Sequence, residues 1–225
     1  MDDRGILYLS TGIKSMKGLK DLKFNLESCE DITNKGIRFL ALAVRRSLLN
    51  TLDLKFQDCR NITNRGICFV QNSIKKLEML RSLKINVAEN MQLNDRSIEL
   101  LKPAIQKLGN LDHLEIDLGY VPIYQKGLNL LKESIIGLKQ LKSLSLSFIG
   151  CSGVWGIGWN YLRAAIKALR YLRDLELDFS YCGGIGSNGL SFLKETLENA
   201  ILLQKLKLYF QYCLRLTDDD IEELL

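Results

Sequence analysis

A chain of 225 residues that is 47% hydrophobic and 25% charged can bury a large core and is neither disordered nor low in complexity. Its net charge of +5 includes no long block of basic residues, so nucleic acid is not expected as a partner. No apolar run is long enough to span a bilayer and Met1 is followed at once by Asp2, Asp3 and Arg4, which leaves no membrane span and no signal peptide and predicts a soluble, cytoplasmic protein.

In chain order, the first segment is "DDRGI" at 2–6, which matches "TNKGI" at 33–37 and "TNRGI" at 63–67 and opens a helix-like stretch. A strand-like run follows, "LKDLKFNL" from Leu19. Its pattern LxxLxLxF returns from Leu49, Leu80, Leu111, Leu141, Leu172 and Leu203, at steps of 30, 31, 31, 30, 31 and 31 residues. A period of this length is the signature of a stacked repeat array. Pro103 and Pro122 are the only prolines and no Gly/Ser-rich stretch intervenes, so residues 1–225 are expected to form a single solenoid of about seven repeats.

Within each repeat the elements are predicted from period alone. Leu52, Leu54 and Phe56 alternate with Asp53, Lys55 and Gln57, as in a strand with one buried face. Ile67, Val70, Ile74 and Leu77 recur at three- and four-residue steps, as on one face of a helix. Asn34, Asn64, Asp95, Ser187 and Asp218 precede the helices and suit the N-cap. No such unit can bury its own apolar face, so the units stack, with parallel strands on one side, helices on the other and leucines between.

Two further columns accompany the leucines. Ten residues after each start lie Cys29, Cys59, Asn90, Val121, Cys151, Cys182 and Cys213, and seven further on lie Gly36, Gly66, Ser97, Gly158, Gly189 and Asp220, with Gly127 joining if the fourth repeat has lost one loop residue. This arrangement, LxxLxLxFxx[C/N]xx[I/L]xxxG, resembles leucine-rich repeats of the long, helix-bearing, ribonuclease-inhibitor-like class. The ITN/ITD segment after the cysteine resembles the cysteine-containing repeats of F-box proteins. The resemblance implies a curved α/β horseshoe with the parallel sheet on its concave face and helices on its convex face, and a non-catalytic function as a protein interaction scaffold or adaptor. Two alternatives stand beside it: a structural subunit of a large assembly, and a substrate-recognition module of a ubiquitin-ligase-type complex. The two extra residues before the cysteine, as in "LDLKFQDC", predict a longer strand.

Several residues invite a chemical reading. "CGGIGSNGL" at 182–190 contains GxGxxG between a strand and a helix, the pattern of a dinucleotide-binding turn. Gly189, however, belongs to the same column as Gly36 and Gly66, where no such motif exists, and no acidic residue follows in "LYFQYC". No cofactor is therefore expected. Five cysteines share one column across neighbouring strands, and are read as small structural thiols under a turn rather than as disulfides or metal ligands. Cys68 is read as packed in its helix, and His113 as a strand residue with no nucleophile to serve. No catalytic residue and no metal site is assigned.

Partner binding is expected on the outward side chains of the strands. In repeats four to six these place Glu115, Asp117, Glu176 and Asp178 around Ser145 and Ser147, with Asp174 beside them, on a chain of opposite net sign. Such a patch suits a protein partner that offers a basic segment. The threonine column of Thr33, Thr63 and Thr217 becomes aromatic at Tyr124 and Trp155, and Tyr181 and Tyr212 form a second aromatic pair before the cysteine column. These four are candidate anchors. Trp159 and Tyr161 fall in the columns of Ile37 and Phe39 and are expected in the core. Basic residues such as Arg45, Arg46, Lys75, Lys76, Lys142, Arg170 and Arg173 cluster on helices and loops, without the aromatic interleaving of a nucleic-acid surface. The array shows no recognisable polar caps, so its ends are expected to pack on neighbouring subunits or further repeats.

Overall fold

The computed structural model describes residues 1–198 and 200–217, with the backbone alone for Asn188. The expectations for Asp218 and Asp220 lie outside the described residues. Among the described residues seven strands, β1 (Asp21–Asn25), β2 (Thr51–Lys55), β3 (Ser82–Asn86), β4 (His113–Asp117), β5 (Ser143–Ser147), β6 (Asp174–Asp178) and β7 (Lys205–Tyr209), form one parallel sheet in chain order. Helix α1 (Asp3–Ser15) precedes β1, and α2 (Asn34–Val44), α3 (Asn64–Ile74), α4 (Asp95–Ile105), α5 (Gln125–Ile135), α6 (Gly158–Lys167) and α7 (Ser187–Glu198) lie between successive strands. The register is that of the repeat, with Leu22, Leu52, Leu83, Leu114, Leu144, Leu175 and Leu206 aligned across the sheet. Strands repeat about every 4.8 Å whereas packed helices need about 8–10 Å, so the stack curves with the strands inside and the helices outside.

The core fills the gap between the two layers. Leu52, Leu54 and Phe56 are buried, as is the matching trio in repeats three to six, while in the last repeat Leu206 is exposed and Leu208 and Phe210 are partly buried. Phe148, Phe179 and Phe210 stack along the array at 5.8 and 6.1 Å between centroids, and Trp159 meets Phe179 edge-on at 5.1 Å. Trp159 is core as expected, while Tyr161 is half-buried under the ammonium of Lys132.

The two extra residues per repeat do not lengthen the strand by its regular geometry, since every strand spans five residues. They continue its ladder: Leu26 and Ser28 donate to the carbonyls of Lys55 and Gln57, and Phe56 and Asp58 to those of Asn86 and Ala88. The ladder then stops at a left-handed residue, which is Ser28, Asp58, Glu89, Tyr120, Gly150, Tyr181 or Tyr212, with φ between 50° and 65°. That turn swings the next residue, in the Cys/Asn column, beneath the chain.

There Cys59, Asn90, Cys151, Cys182 and Cys213 act as hydrogen-bond donors, whereas Val121 in repeat four offers none. Cys59, Cys151, Cys182 and Cys213 direct Sγ at the carbonyls of Leu26, Leu118, Phe148 and Phe179 in the preceding repeat, at 2.9–3.2 Å. Asn90 does the same more strongly, donating Nδ2 to Phe56, Val87 and Ala88 carbonyls at 2.7, 2.9 and 3.1 Å. All six thiols are free, and burial pushes Cys59 up to about 11 and Cys151 and Cys182 up to about 12. Buried and raised in this way, the Cys59, Cys151 and Cys182 thiols are poor nucleophiles.

The helix caps differ by one residue from the sequence expectation. The N-caps are Thr33, Thr63 and Asn94, each accepting from the amide two residues on, while Asn34, Asn64, Asp95 and Ser187 are the first helical residues. The displaced side chains reach the next repeat instead. Asp3 accepts from the amides of Thr33 and Gly36, Asn34 from that of Thr63, Asp95 from that of Tyr124, and Asn64 from the hydroxyl of Ser97. A chain of polar contacts thus satisfies one helix start with a residue from the one before.

This contact also accounts for the glycine column. A Cβ on Gly66 would lie 2.7 Å from Asn34 Oδ1 and 3.0 Å from Ile62 Cγ2, and one on Gly36 2.5 Å from Asp3 Oδ1. Gly66→Ala is expected to lose about 1–2 kcal/mol despite the better helix propensity of alanine, whereas Gly109→Ala, open on all sides, is expected to lose nothing. Urea titration of both variants checks this. Gly189 instead faces Ile185 and the Trp159 ring, and Gly184 the Cβ of Trp155, so both glycines of the GxGxxG segment that sit in close contact are explained by packing between repeats.

Candidate protein-binding surface

The exposed faces of the strands form rows across the sheet. In the middle row Lys84, Glu115, Ser145, Glu176 and Lys207 stand on adjacent strands. Lys84 Nζ lies 2.5 Å from Glu115 Oε2 and Lys207 Nζ 2.9 Å from Glu176 Oε2. Two of the four carboxylates of the anticipated patch are therefore already paired with cations. His113 Nε2 sits 3.6 Å from Glu115, and its Nδ1 lies 2.8 Å from Ser143 Oγ. The His113 imidazole and the Lys84 ammonium hold Glu115 down to about 2.

Because the folded value lies below the ordinary 4.5, this pair stabilises the fold above about pH 4.5, and its contribution is lost as pH falls toward 2. Glu115→Gln is expected to remove that part of the acid sensitivity, seen as a smaller drop in melting temperature between pH 5 and pH 3. An unchanged acid profile would contradict it.

Nearer the end of the strands, Asp117, Ser147 and Asp178 share the next row. Asp117 accepts from the Gly119 amide at 3.0 Å and Asp178 from the Ser180 amide at 2.9 Å. Asn25 and Asn86 occupy the same position in repeats one and three and accept the equivalent amides of Glu27 and Ala88 at 2.9 Å. Burial pushes the Asp117 carboxyl up, and the charges of Asp178 and Glu115 push the same way. The buried hydroxyl of Ser147 between them has no hydrogen-bond partner among the described residues. Asp174, in register with Ser143 and Lys205, stands two residues back along β6 from Glu176. Asp53, expected on this outward face, is buried at 8% exposure and its Oδ1 is unpartnered among the described residues.

The left-handed turns bring a third group to the rim. Tyr181 and Tyr212 stack at 4.7 Å with their planes 21° apart, half-exposed or more. Tyr120 occupies the equivalent turn two repeats earlier, and its ring lies across the α-carbon of Gly150, where any side chain would collide with it. Burial and the neighbouring Tyr212 and Tyr120 push the Tyr181 hydroxyl up. The rim therefore carries Tyr120, Tyr181 and Tyr212 beside the Asp117 and Asp178 row. Tyr120 was not among the residues singled out from the sequence, although it stands in the column of Tyr181 and Tyr212. Tyr124 and Trp155 are exposed at 54% and 52%. Tyr124 holds the cap position of α5 without a side-chain cap, and Trp155 precedes α6, packed on Gly184.

Among the described residues no group of three or more His, Cys, Asp or Glu is placed to hold a metal ion, and no helix is long and apolar enough to cross a membrane. No protein-family model matches the chain, and no curated protein matches it. Among solved structures, the yeast Rad7 and Elc1 complex contains a chain that superposes with a TM-score of 0.54 at 19% identity, over 98% of this chain and 52% of that one. The fold is a leucine-rich-repeat solenoid. This leucine-rich-repeat chain spans about half the length of that yeast protein. Looser matches are leiomodin-1 actin-binding site 2, with a TM-score of 0.47 at 11% identity over 88% of each chain, and the C-terminal domain of tropomodulin from Caenorhabditis elegans, with 0.49 at 14% over 89% and 94%.

Proposed function

We propose that the chain is a non-catalytic interaction scaffold or adaptor that holds a basic segment of a partner protein on the strand face of repeats four to six, against Asp117, Ser147 and Asp178 and the tyrosines of the rim. The observation that carries this reading is that the fold does not need these two carboxylates. Asn25 and Asn86 complete the same turn without charge. In repeats four and six aspartate replaces asparagine, and Asp117 bears both desolvation and the repulsion of Asp178. A charge kept against its own environment is the mark of a site selected for something other than stability.

The rim supports the same conclusion. A left-handed turn favours glycine and costs any other residue about 1 kcal/mol or more, yet large exposed tyrosines occupy three of these turns. Stacked phenol rings beside carboxylates suit the guanidinium and ammonium groups of a basic peptide. The Rad7 and Elc1 structure, in which a chain of this fold belongs to a complex of two proteins, supports a protein as partner. The repeat length and the helix in every repeat support the ribonuclease-inhibitor-like class. The test is capture of partners from the native source by the wild type and by Asp117→Asn/Asp178→Asn, with identification of what is lost. Retention of every partner by the variant would move the site elsewhere, to Tyr124 and Trp155 first.

A further inference from the structure

The outer, helical side has its own anomaly. Among the described residues ion pairs cross between α4 and α5, Lys102 with Glu133 at 2.7 Å and Lys126 with Glu99 at 3.5 Å, and between α6 and α7, Arg163 with Glu195. Between α2 and α3 none does among the described residues. Residues 34–50 carry Lys35, Arg38, Arg45 and Arg46, residues 64–77 carry Arg65, Lys75 and Lys76, and neither stretch contains a carboxylate.

A groove of about 440 Å³ runs between these two helices. Its α2 wall is Arg38, Ala41, Leu42 and Arg45, and its α3 wall includes Phe69, Asn72, Ser73 and Lys76. Arg38, Ala41 and Leu42 share one stripe of α2 and Phe69, Asn72 and Ser73 one stripe of α3, while Arg45, Lys75 and Lys76 line the groove from just beyond the helix ends. Leu42 is 51% exposed, and the Arg38 guanidinium stands 6.0 Å over the Phe69 ring. Cations near helix C-termini favour the helix dipole, which accounts for Arg45 and Lys75 as stabilising groups. It accounts neither for Arg38, in the middle of α2, nor for the exposed leucine between the charges.

We propose that this groove is a second interface, independent of the strand face, that receives an acidic amphipathic helix from a partner protein. Its charge is of one sign, with no carboxylate paired to it among the described residues, so the occupant is anionic. Its floor of Ala41, Leu42 and Phe69 is apolar, which phosphate-rich nucleic acid does not require, and it is recessed between helices rather than protruding as a membrane-inserting face does. The two helices that flank it are each 11 residues long, roughly 16 Å, enough to seat about three turns of a docked helix by apolar anchors at matching spacing.

The experiment uses an array of acidic amphipathic peptides of about 14 residues, or four turns, with scrambled peptides of identical composition, and then measures affinity by fluorescence anisotropy with the full chain. Arg45→Glu/Lys76→Glu is expected to weaken the selected peptide about tenfold or more and to bind its lysine-for-glutamate counterpart instead. Leu42→Ala is expected to weaken it severalfold without touching charge, and Asp117→Asn/Asp178→Asn to leave it unchanged, which separates this interface from the one on the strand face. Circular dichroism confirms that the exposed substitutions preserve the fold. Equal binding of the scrambled peptides, indifference to Leu42→Ala, no peptide bound at millimolar concentration, or tighter binding to a single-stranded RNA or a phosphatidylserine vesicle would each overturn the proposal.

Discussion

Asn90→Asp is expected to disrupt the array, while Asn90→Cys is tolerated. The side chain is fully buried and its Nδ2 serves the carbonyls of Phe56, Val87 and Ala88. Aspartate has the same shape and no donor, so three carbonyl dipoles would face either a buried negative charge or a single acid proton. The Phe56 and Ala88 carbonyls keep the amides of Cys59 and Asp58 as donors, so the Val87 carbonyl is the one left without a donor among the described residues, at about 1–3 kcal/mol, and an uncompensated buried charge costs several more. A loss of roughly 4 kcal/mol or more is expected, which in a chain of this size lowers the melting temperature by about 10 °C or more. Cysteine supplies one weak donor in the same place, as Cys59, Cys151 and Cys182 already do in other repeats, and a loss of about 1–2 kcal/mol is expected. Thermal melting followed by circular dichroism compares the three. Equal melting of wild type and Asn90→Asp would show that the column is not a donor column.

The second large effect separates binding from stability. Asp117→Asn/Asp178→Asn keeps the amide bonds to Gly119 and Ser180, because asparagine accepts the same bonds at Asn25 and Asn86. Asp117 loses a desolvated charge, so the melting temperature is expected to stay level or rise by a few degrees above pH 5. Affinity for the basic partner is expected to fall about tenfold or more, with a weaker salt dependence than the wild type. Loss of binding without loss of stability assigns the carboxylates to recognition. A variant that melts lower and binds as before would make them ordinary parts of the turn.

The acidic patch read from the sequence was half legible. Its residues do share adjacent strands, because the column arithmetic that aligns Leu52 with Leu83 also aligns Asp117 with Ser147 and Asp178. Its charge was overstated, since the aligned neighbours Lys84 and Lys207 bend across to Glu115 and Glu176. The tyrosine rim was legible in part. Tyr181 and Tyr212 stood out by adjacency, whereas Tyr120 is separated from them by Gly150, and only the backbone explains why glycine there makes room for a ring.

The sequence by itself determined the repeat, the strand and helix of each unit and the in-register parallel sheet. Each follows from a period imposed by burial, and burial is a local property of side-chain type and spacing. Tertiary structure alone decided where polar groups found their partners. Thr33 and Asn34 offer equivalent oxygens to one helix start, and Thr33 caps it only because Asn34 is taken by Thr63 in the next repeat. Likewise Asp53 alternates outward by pattern yet is buried. Hydrogen bonds and ion pairs are directional and short, so which of several chemically equal groups forms them depends on geometry that a column of letters does not contain.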